Sequence, residues 1–294
     1  MLTPYLDPET LAFSTTYYWR VIATNGEGDI LQGPVWSFTT MPAPTYPPDI
    51  WSTRVIPAGE FQMGCDANTS QDWTCFTKAE SPLHTVYLDT YEISKYEVTN
   101  VQYRSCVEAR KCRKPRFISA DGRDNYFYNP LYNFYPVVYV AWEDAKAYCE
   151  WAGMRLPTEA EWEKAARGDG DTRFWPWGNE APTCDVLSNL QGRDCDRPQV
   201  TNYGGEYSGN VSPYGVFDMS GNAYEWVFDK YDDYYYRYSP YINPTGPDSS
   251  DWYTIRGGSY RGTSVYRQVN HRKSGHYGDI PLFRAPWVGF RCAR

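Results

Sequence analysis

The chain has 294 residues, of which 41% are hydrophobic, 22% charged and 18% aromatic, and its formal net charge is −8. This composition indicates a globular protein, and the absence of a basic stripe argues against a nucleic-acid-binding function. The sequence has no apolar run of the roughly 18 residues that a membrane span needs. It also lacks the basic start and apolar middle of an export signal.

Eight cysteines, an even number, are spread along the chain. Six form close pairs, at 65 and 75, 106 and 112, and 184 and 195, and the remaining two are Cys149 and Cys292. No CxxC occurs and the three histidines are scattered, which argues against a zinc site. Three close pairs and one distant pair indicate disulfides, and therefore an extracellular or periplasmic location.

The first 41 residues predict two β-strands. Residues 15–25 alternate aromatic and β-branched side chains, a Gly-Glu-Gly-Asp turn follows, and residues 33–40 form the second strand. The pair resembles the last strands of a fibronectin type III domain, so residues 1–41 are interpreted as part of such a domain in a truncated, originally secreted chain. The alternative is a β-hairpin docked on the rest of the protein. Residues 42–49 are rich in proline and predict a stiff linker.

From residue 50 the pattern mixes strands and helices. Strands are predicted over 53–61 and 85–93, and later near 253–259 and 288–292. Helices are predicted from Thr99 to Arg110, from Trp142 to Gly153, and from Thr158 to Arg167, where Thr158 and Glu161 form a capping box. Loops are expected to fill most of the chain after residue 168.

The stretch from Tyr214 to Trp226 is the most distinctive part of the sequence. Asp218 and Glu225 are seven residues apart, with Gly221 and Ala223 between them. In a loop that curls on itself, two carboxylates and two backbone carbonyls could converge on a hard cation such as calcium. The alternative is an Asx-turn at Asp218 and a carboxylate at Glu225 that caps nearby amides.

Several segments together resemble the formylglycine-generating enzyme (sulfatase-modifying factor) family. They occur in family order over residues 50–294, and they are Ile56-Pro-Ala-Gly-Glu-Phe-Gln-Met-Gly64, Glu97-Val-Thr-Asn100, residues 147–162, Trp175-Pro-Trp-Gly-Asn179, residues 214–226, Arg256-Gly-Gly-Ser-Tyr260 and Gly289-Phe-Arg-Cys-Ala-Arg294. The resemblance implies an α+β, C-type-lectin-like formylglycine-generating-enzyme fold with much irregular chain, held by disulfides and bound ions.

The resemblance also implies particular pairings and ligands. It joins Cys149 to Cys292, and it places a structural calcium ion on the side chains of Asp218 and Glu225 and the carbonyls of Gly221 and Ala223. A second calcium site would begin near Asn189 and Leu190, although its later ligands do not align with this sequence.

The sequence departs from the copper-dependent enzymes of that family at the residues that bind copper. Their two Cu(I)-binding cysteines, soft thiolates that suit this ion, correspond to Gly262 and Arg267. No copper is therefore expected. Another branch of the family, which makes sulfur-containing histidine betaines, holds iron with a cluster of histidines. Here His84, His271 and His276 show no ligand spacing.

Two functions follow from these observations. The first is a non-catalytic recognition module that binds an extracellular protein, peptide or glycan and belongs to a larger multidomain chain. Its ligand-binding residues would be Ser259, Tyr260, Arg261, Tyr266, Arg267, His271, Arg272, His276 and Tyr277, which include residue types that are enriched at interaction hot spots. The alternative is an oxidase of the formylglycine-generating type that acts on a protein or peptide through an altered metal site.

Overall fold

The computed structural model describes residues 15–24, 26–40, 49–66, 75–184, 186–187, 200–261, 264–275 and 284–294. The chain divides into two compact units: Met1–Tyr46 with Asn129–Leu131, and Pro47–Tyr128 with Tyr132–Arg294. Across the described ranges, none of the helices has the length and apolar character that crossing a membrane requires.

The first unit contains an antiparallel hairpin. Strand β1 (Thr16–Trp19) pairs with β4 (Trp36–Thr39), and β2 (Ile22–Thr24) pairs with β3 (Ile30–Gln32). Both predicted strands are present. The first is broken into β1 and β2, the second corresponds to β4, and β3 lies just before the range predicted for the second strand. The rings of Trp19 and Trp36 stack with centroids 4.6 Å apart. The fibronectin type III assignment remains a prediction, and residues 42–48 of the expected linker lie outside the described ranges.

The second unit begins with two pairs of short strands. Strand β5 (Thr53–Ile56) pairs with β8 (Tyr91–Ser94), and β6 (Gly59–Met63) pairs with β7 (His84–Leu88), both antiparallel. The segment predicted as a strand over 53–61 therefore forms two strands, and the prediction of a single strand over 85–93 is wrong. The ladder breaks at Asp89, whose amide donates to the side chain of Asn243 at 2.9 Å.

The three predicted helices are confirmed, within one or two residues at their ends. They are α1 (Asn100–Glu108), α2 (Trp142–Trp151) and α3 (Glu159–Arg167). At the start of α3, Thr158 Oγ1 accepts from the Glu161 amide at 3.2 Å while Glu161 accepts from the Thr158 amide at 2.8 Å. This is the predicted capping box. Every residue of α3 is buried, including its charged ones.

A four-stranded sheet forms the centre of this unit, in the order β11 (Arg272–Ser274), β10 (Tyr253–Arg256), β9 (Tyr224–Lys230) and β12 (Val288–Phe290). Strand β12 runs parallel to β9, and the other pairs are antiparallel. Strands β9 and β11 were not predicted. Because side chains alternate along β9, Tyr224 and Trp226 pack in the apolar cluster that contains residues of α1 and α2, whereas Val227 packs in the cluster that contains α3.

Disulfides cross-link the second unit. Cys65 is bonded to Cys75 and Cys106 to Cys112, as the spacing predicts, and the bond between Cys149 and Cys292 implied by the family is confirmed as well. Cys184 is also disulfide-bonded, and its expected partner, Cys195, lies outside the described residues. The long-range bond joins α2 to the chain just after β12.

Candidate functional site

The Gly-Gly-Ser-Tyr segment forms a tight loop directly after β10. Gly257 and Gly258 have φ angles of +87° and +72°, which favour glycine. A Cβ atom on Gly258 would lie 2.5 Å from the carbonyl oxygen of Tyr266. The loop therefore packs directly against the chain that contains Arg267.

Arg267, which the family resemblance aligns with the second copper-binding cysteine, is buried and bonded to this loop. Its Nε donates to the carbonyl of Ser259 at 2.8 Å and its Nη2 donates to the carbonyl of Tyr260 at 2.9 Å. Burial lowers the pKa of Arg267 to about 10, so the guanidinium stays charged at neutral pH. Gly262, which the resemblance aligns with the first copper-binding cysteine, lies outside the described residues.

Tyr260 and Arg261 meet a carboxylate that the sequence did not single out. The Tyr260 hydroxyl donates to Asp121, and Arg261 Nη2 donates to the same Oδ1 atom at 3.2 Å. The Arg261 side chain is 50% exposed, and its guanidinium lies 4.6 Å from the ring centroid of Trp287. Burial, together with Asp121, raises the pKa of Tyr260, which keeps the phenol protonated as a donor.

Glu225, one of the proposed calcium ligands, lies inside β9 rather than in a curled loop. Its carboxylate accepts from Arg291 Nε and Nη2, both at 2.7 Å, and from Trp162 Nε1 at 2.9 Å. Both Glu225 and Arg291 are fully buried. Arg291 thus makes the forked, two-bond contact with a carboxylate that a guanidinium favours.

Asp218 and Glu97 lie in the same buried cluster. Asp218 Oδ2 accepts from the Gly205 amide at 2.6 Å, and Glu97 accepts from the Ala223 amide at 3.0 Å and from the Asn222 side chain. Burial raises the pKa of Asp218 to about 7 and that of Glu97 well above its usual range, with the Glu225 carboxylate adding to both. Three carboxyl groups share one guanidinium here, and this shortage of positive charge disfavours ionisation of all three at once.

A small cavity of about 10 Å³ lies beside Asp218 and is lined by Leu187, Asn202, Tyr207, Asn210, Ser220 and Asn222. This is close to the smallest volume that holds one water molecule, on the order of 10 Å³. Asn210 is buried, and its Oδ1 atom has no hydrogen-bond partner. Asp218 and Asn210 therefore offer the oxygen ligands that suit a calcium ion, whereas Glu225 already accepts three hydrogen bonds. In the described ranges no three His, Cys, Asp or Glu side chains are arranged as a metal site, so such an ion would depend on amide and carbonyl oxygens.

The proposed ligand-binding residues are mostly buried. Of the seven that the structure describes, Arg261 and Tyr266 are at least partly exposed, and five are buried: Ser259, Tyr260, Arg267, His271 and Arg272. Arg272 Nε and Nη2 donate to Glu159 of α3 at 2.9 and 2.8 Å. His271 Nδ1 lies 2.8 Å from Glu80 Oε1. These two residues therefore connect parts of the core. His276 and Tyr277 lie outside the described residues.

Sequence reasoning missed four residues of these clusters as site residues: Glu97, Asp121, Asn210 and Arg291. Glu97 and Arg291 occur in two of the segments that carry the family resemblance, so a signal for them was present. Asp121 and Asn210 occur in irregular chain without a recognisable pattern, and only the folded structure brings them to Tyr260 and Asp218.

Comparison with known proteins identifies the family of this chain. Residues 40–294 match the profile of the sulfatase-modifying factor enzyme 1-like domain. The formylglycine-generating enzyme of Bos taurus is 31% identical over 288 residues, which cover 81% of this chain and 73% of that protein. Hercynine oxygenase of Mycolicibacterium smegmatis is 31% identical over 298 residues, which cover 90% of this chain and 66% of that protein.

The solved structure of PvdO from Pseudomonas aeruginosa superimposes with a TM-score of 0.67. The match covers 82% of this chain and 93% of PvdO, and 27% of the matched residues are identical. The mixed fold of small sheets and helices described above is therefore one that a solved relative shares.

Proposed function

Since this chain belongs to the family of sulfatase-modifying factor enzyme 1-like domains, we propose that it is a member without copper chemistry, which serves as a calcium-stabilised recognition module in an exported protein. The observation that carries the proposal is the burial of Arg267, which the family resemblance aligns with a copper-binding cysteine. Its guanidinium donates to two carbonyls of the Gly-Gly-Ser-Tyr loop. A guanidinium offers no lone pair to a metal.

Among the described residues, the other cysteines provide no substitute for the missing thiolates. All those that the structure describes are disulfide-bonded, and a bonded sulfur is not a thiolate ligand. Within this module, Ser259 and Tyr260 form part of the packed loop, and Asp121 accepts from both Tyr260 and Arg261. These contacts make the loop part of the packed frame of the module.

An exposed aromatic and basic surface lies beside this frame. Besides Arg261 over Trp287, it includes Tyr139, whose ring meets that of Phe117 edge-on at 5.0 Å, and Phe117 is 52% exposed. Arg, Trp and Tyr are the residue types that most often dominate binding energy at interfaces. We propose this surface, rather than the buried Arg267, His271 and Arg272, as the place where a protein, peptide or glycan is bound.

The names of the relatives support a second candidate, an oxidase that acts on a protein or peptide. One of the two relatives named above is a formylglycine-generating enzyme and the other is an oxygenase. Such an activity would need a metal site built from residues other than thiolates, and the experiment below distinguishes it from the module.

The decisive experiment is a formylglycine assay. The protein is incubated with Cu(I), oxygen and a Cys-x-Pro-x-Arg peptide, and the peptide mass is followed with a copper-loaded formylglycine-generating enzyme as positive control. We expect the peptide mass to stay unchanged and copper to be absent after desalting, because Arg267 places a positive charge where Cu(I) would bind. Stoichiometric copper together with the aldehyde product would establish the oxidase and end the module hypothesis.

The calcium part of the proposal has a separate test. A ligand that binds only the folded state stabilises it by mass action, by about 2.7 kcal/mol at a hundredfold excess over its Kd. Chelation should therefore lower the Tm of the wild type and leave the Tm of Asp218→Asn unchanged. Asp229→Asn is the matched control: Asp229 is equally buried and accepts from the Glu159 amide at 2.7 Å. If both variants respond to chelator as the wild type does, the ion is not bound at Asp218.

A further inference from the structure

An open pocket of about 430 Å³ lies at one end of the four-stranded sheet. Among the residues that line it, Tyr231 directly follows β9, Trp252 directly precedes β10, and Ser274 is the last residue of β11. The Tyr231 amide donates to the Trp252 carbonyl at 2.8 Å, which holds these two aromatic residues side by side. The loop that contains Tyr260 begins at the other end of β10, so the pocket is separate from the surface proposed above.

Three aromatic residues line this pocket: Tyr231, Tyr234 and Trp252. Tyr234 is 52% exposed, so a ligand can reach it from solvent. Two of the rings already contact cations of this chain. The guanidinium of Arg237 lies 4.8 Å from the ring centroid of Tyr234, and that of Arg272 lies 5.1 Å from the ring centroid of Tyr231. Because the face of an aromatic ring carries partial negative charge, these walls suit a positively charged ligand.

The charged residues that line the pocket are Asp232 and Asp233, with no Lys or Arg among the described residues of its wall. Both oxygens of Asp232 are used, since Oδ1 accepts from the Tyr234 amide at 2.6 Å and Oδ2 from the Tyr238 hydroxyl at 3.1 Å. Asp233 is an exposed residue. Its Oδ1 accepts from the Tyr231 hydroxyl at 2.8 Å, and in the described part of the chain no donor contacts its Oδ2. The pocket therefore offers an acceptor that a ligand can reach.

We propose that this pocket binds a lysine side chain that a protein or peptide partner presents. The ammonium donates to the Asp233 carboxylate, and the methylene stem packs on the rings of Tyr234 and Trp252. The charge of Arg272 is paired with Glu159, so it does not neutralise the two aspartates, and a further cation is attracted. A single free carboxylate oxygen suits the point charge of an ammonium, whereas a guanidinium fork favours two oxygens.

Three probes test this proposal: the N-acetyl methylamides of lysine, norleucine and arginine, each titrated into the full chain and followed by NMR at the indole N–H of Trp252. Norleucine has the stem of lysine without its ammonium. We expect the lysine probe to shift this resonance saturably, with a Kd roughly tenfold lower than that of the norleucine probe, or about 1.4 kcal/mol. Added salt should weaken its binding, because it screens exposed charges.

Three results would overturn the proposal. If the lysine probe does not saturate the resonance up to its solubility limit, the pocket is not a binding site for lysine. Equal binding of the lysine and norleucine probes would make it an apolar site. Tighter binding of the arginine probe would make it a guanidinium site.

Variants then assign the selectivity to the carboxylate. Asp233→Asn should remove most of the preference for the lysine probe over the norleucine probe. Asp124→Asn is the matched control: Asp124 is an exposed aspartate that does not line the pocket, and its replacement changes the net charge equally, so the preference should persist. The Tm of each variant is measured first. If Asp233→Asn fails to fold, the comparison of the three probes on the wild type decides alone. An unchanged preference in a folded Asp233→Asn protein contradicts the proposed contact.

Discussion

Replacing Cys149 and Cys292 together by alanine is expected to lower the free energy of unfolding by about 4–5 kcal/mol. The two residues are separated by 143 positions, and a cross-link that closes so long a loop removes much of the entropy of the unfolded chain. Both cysteines are buried in the core with α1 and α2. The measurement is denaturant unfolding of the variant and the wild type under the same non-reducing conditions.

The short disulfide between Cys106 and Cys112 provides the control. It also involves a buried residue of the same core cluster, but its partners are only 6 positions apart. The same chain-entropy relation gives a loss of about 2 kcal/mol for the corresponding double alanine variant. If the two double variants lose equal stability, loop closure is not the source of the effect, and lost packing around the sulfur atoms would explain it instead.

The variant Glu225→Gln should destabilise the fold by about 3–5 kcal/mol, the usual cost of removing one partner of a buried ion pair. It leaves the Arg291 guanidinium, fully buried and bonded to both carboxylate oxygens, without its main counterion. The change keeps the shape of the side chain, so packing contributes little to the difference. Chemical denaturation of the calcium-depleted protein measures this loss apart from any effect of calcium.

Two further variants test whether the unpaired charge of Arg291 causes this loss of stability. Glu92→Gln removes the partner of Arg294, whose side chain is 59% exposed, and should change stability little because solvent screens that pair. The double variant Glu225→Gln with Arg291→Met should recover part of the loss, since no unpaired charge then remains in the core. A single variant Glu225→Gln that unfolds like Glu92→Gln would show that Arg291 finds another counterion.

The sequence by itself determined the local elements that short-range rules control. Thr158 and Glu161 predicted the start of α3, because a capping box involves only four consecutive residues. Gly168 predicted the end of the helix. The bonds of Cys65 with Cys75 and of Cys106 with Cys112 followed from their spacing. The order of the family segments led to the family itself and to the bond between Cys149 and Cys292. The family resemblance alone also aligned Arg267 with a copper-binding cysteine.

Only the tertiary structure shows which charged residues are buried and which partners they have. Strand β9 was not predicted because Glu225 and the Gly-Asn turn before it interrupt an apolar run, and a buried carboxylate in a strand is stable only when Arg291, 66 positions later, pairs with it. For the same reason Arg272, which was predicted to bind a ligand, is buried: its carboxylate partner, Glu159, is 113 positions away. Arg267 is buried as well, although the two carbonyls that it contacts are only seven and eight positions away. Burial of a charge depends on partners that only folding brings close, and no local pattern records them.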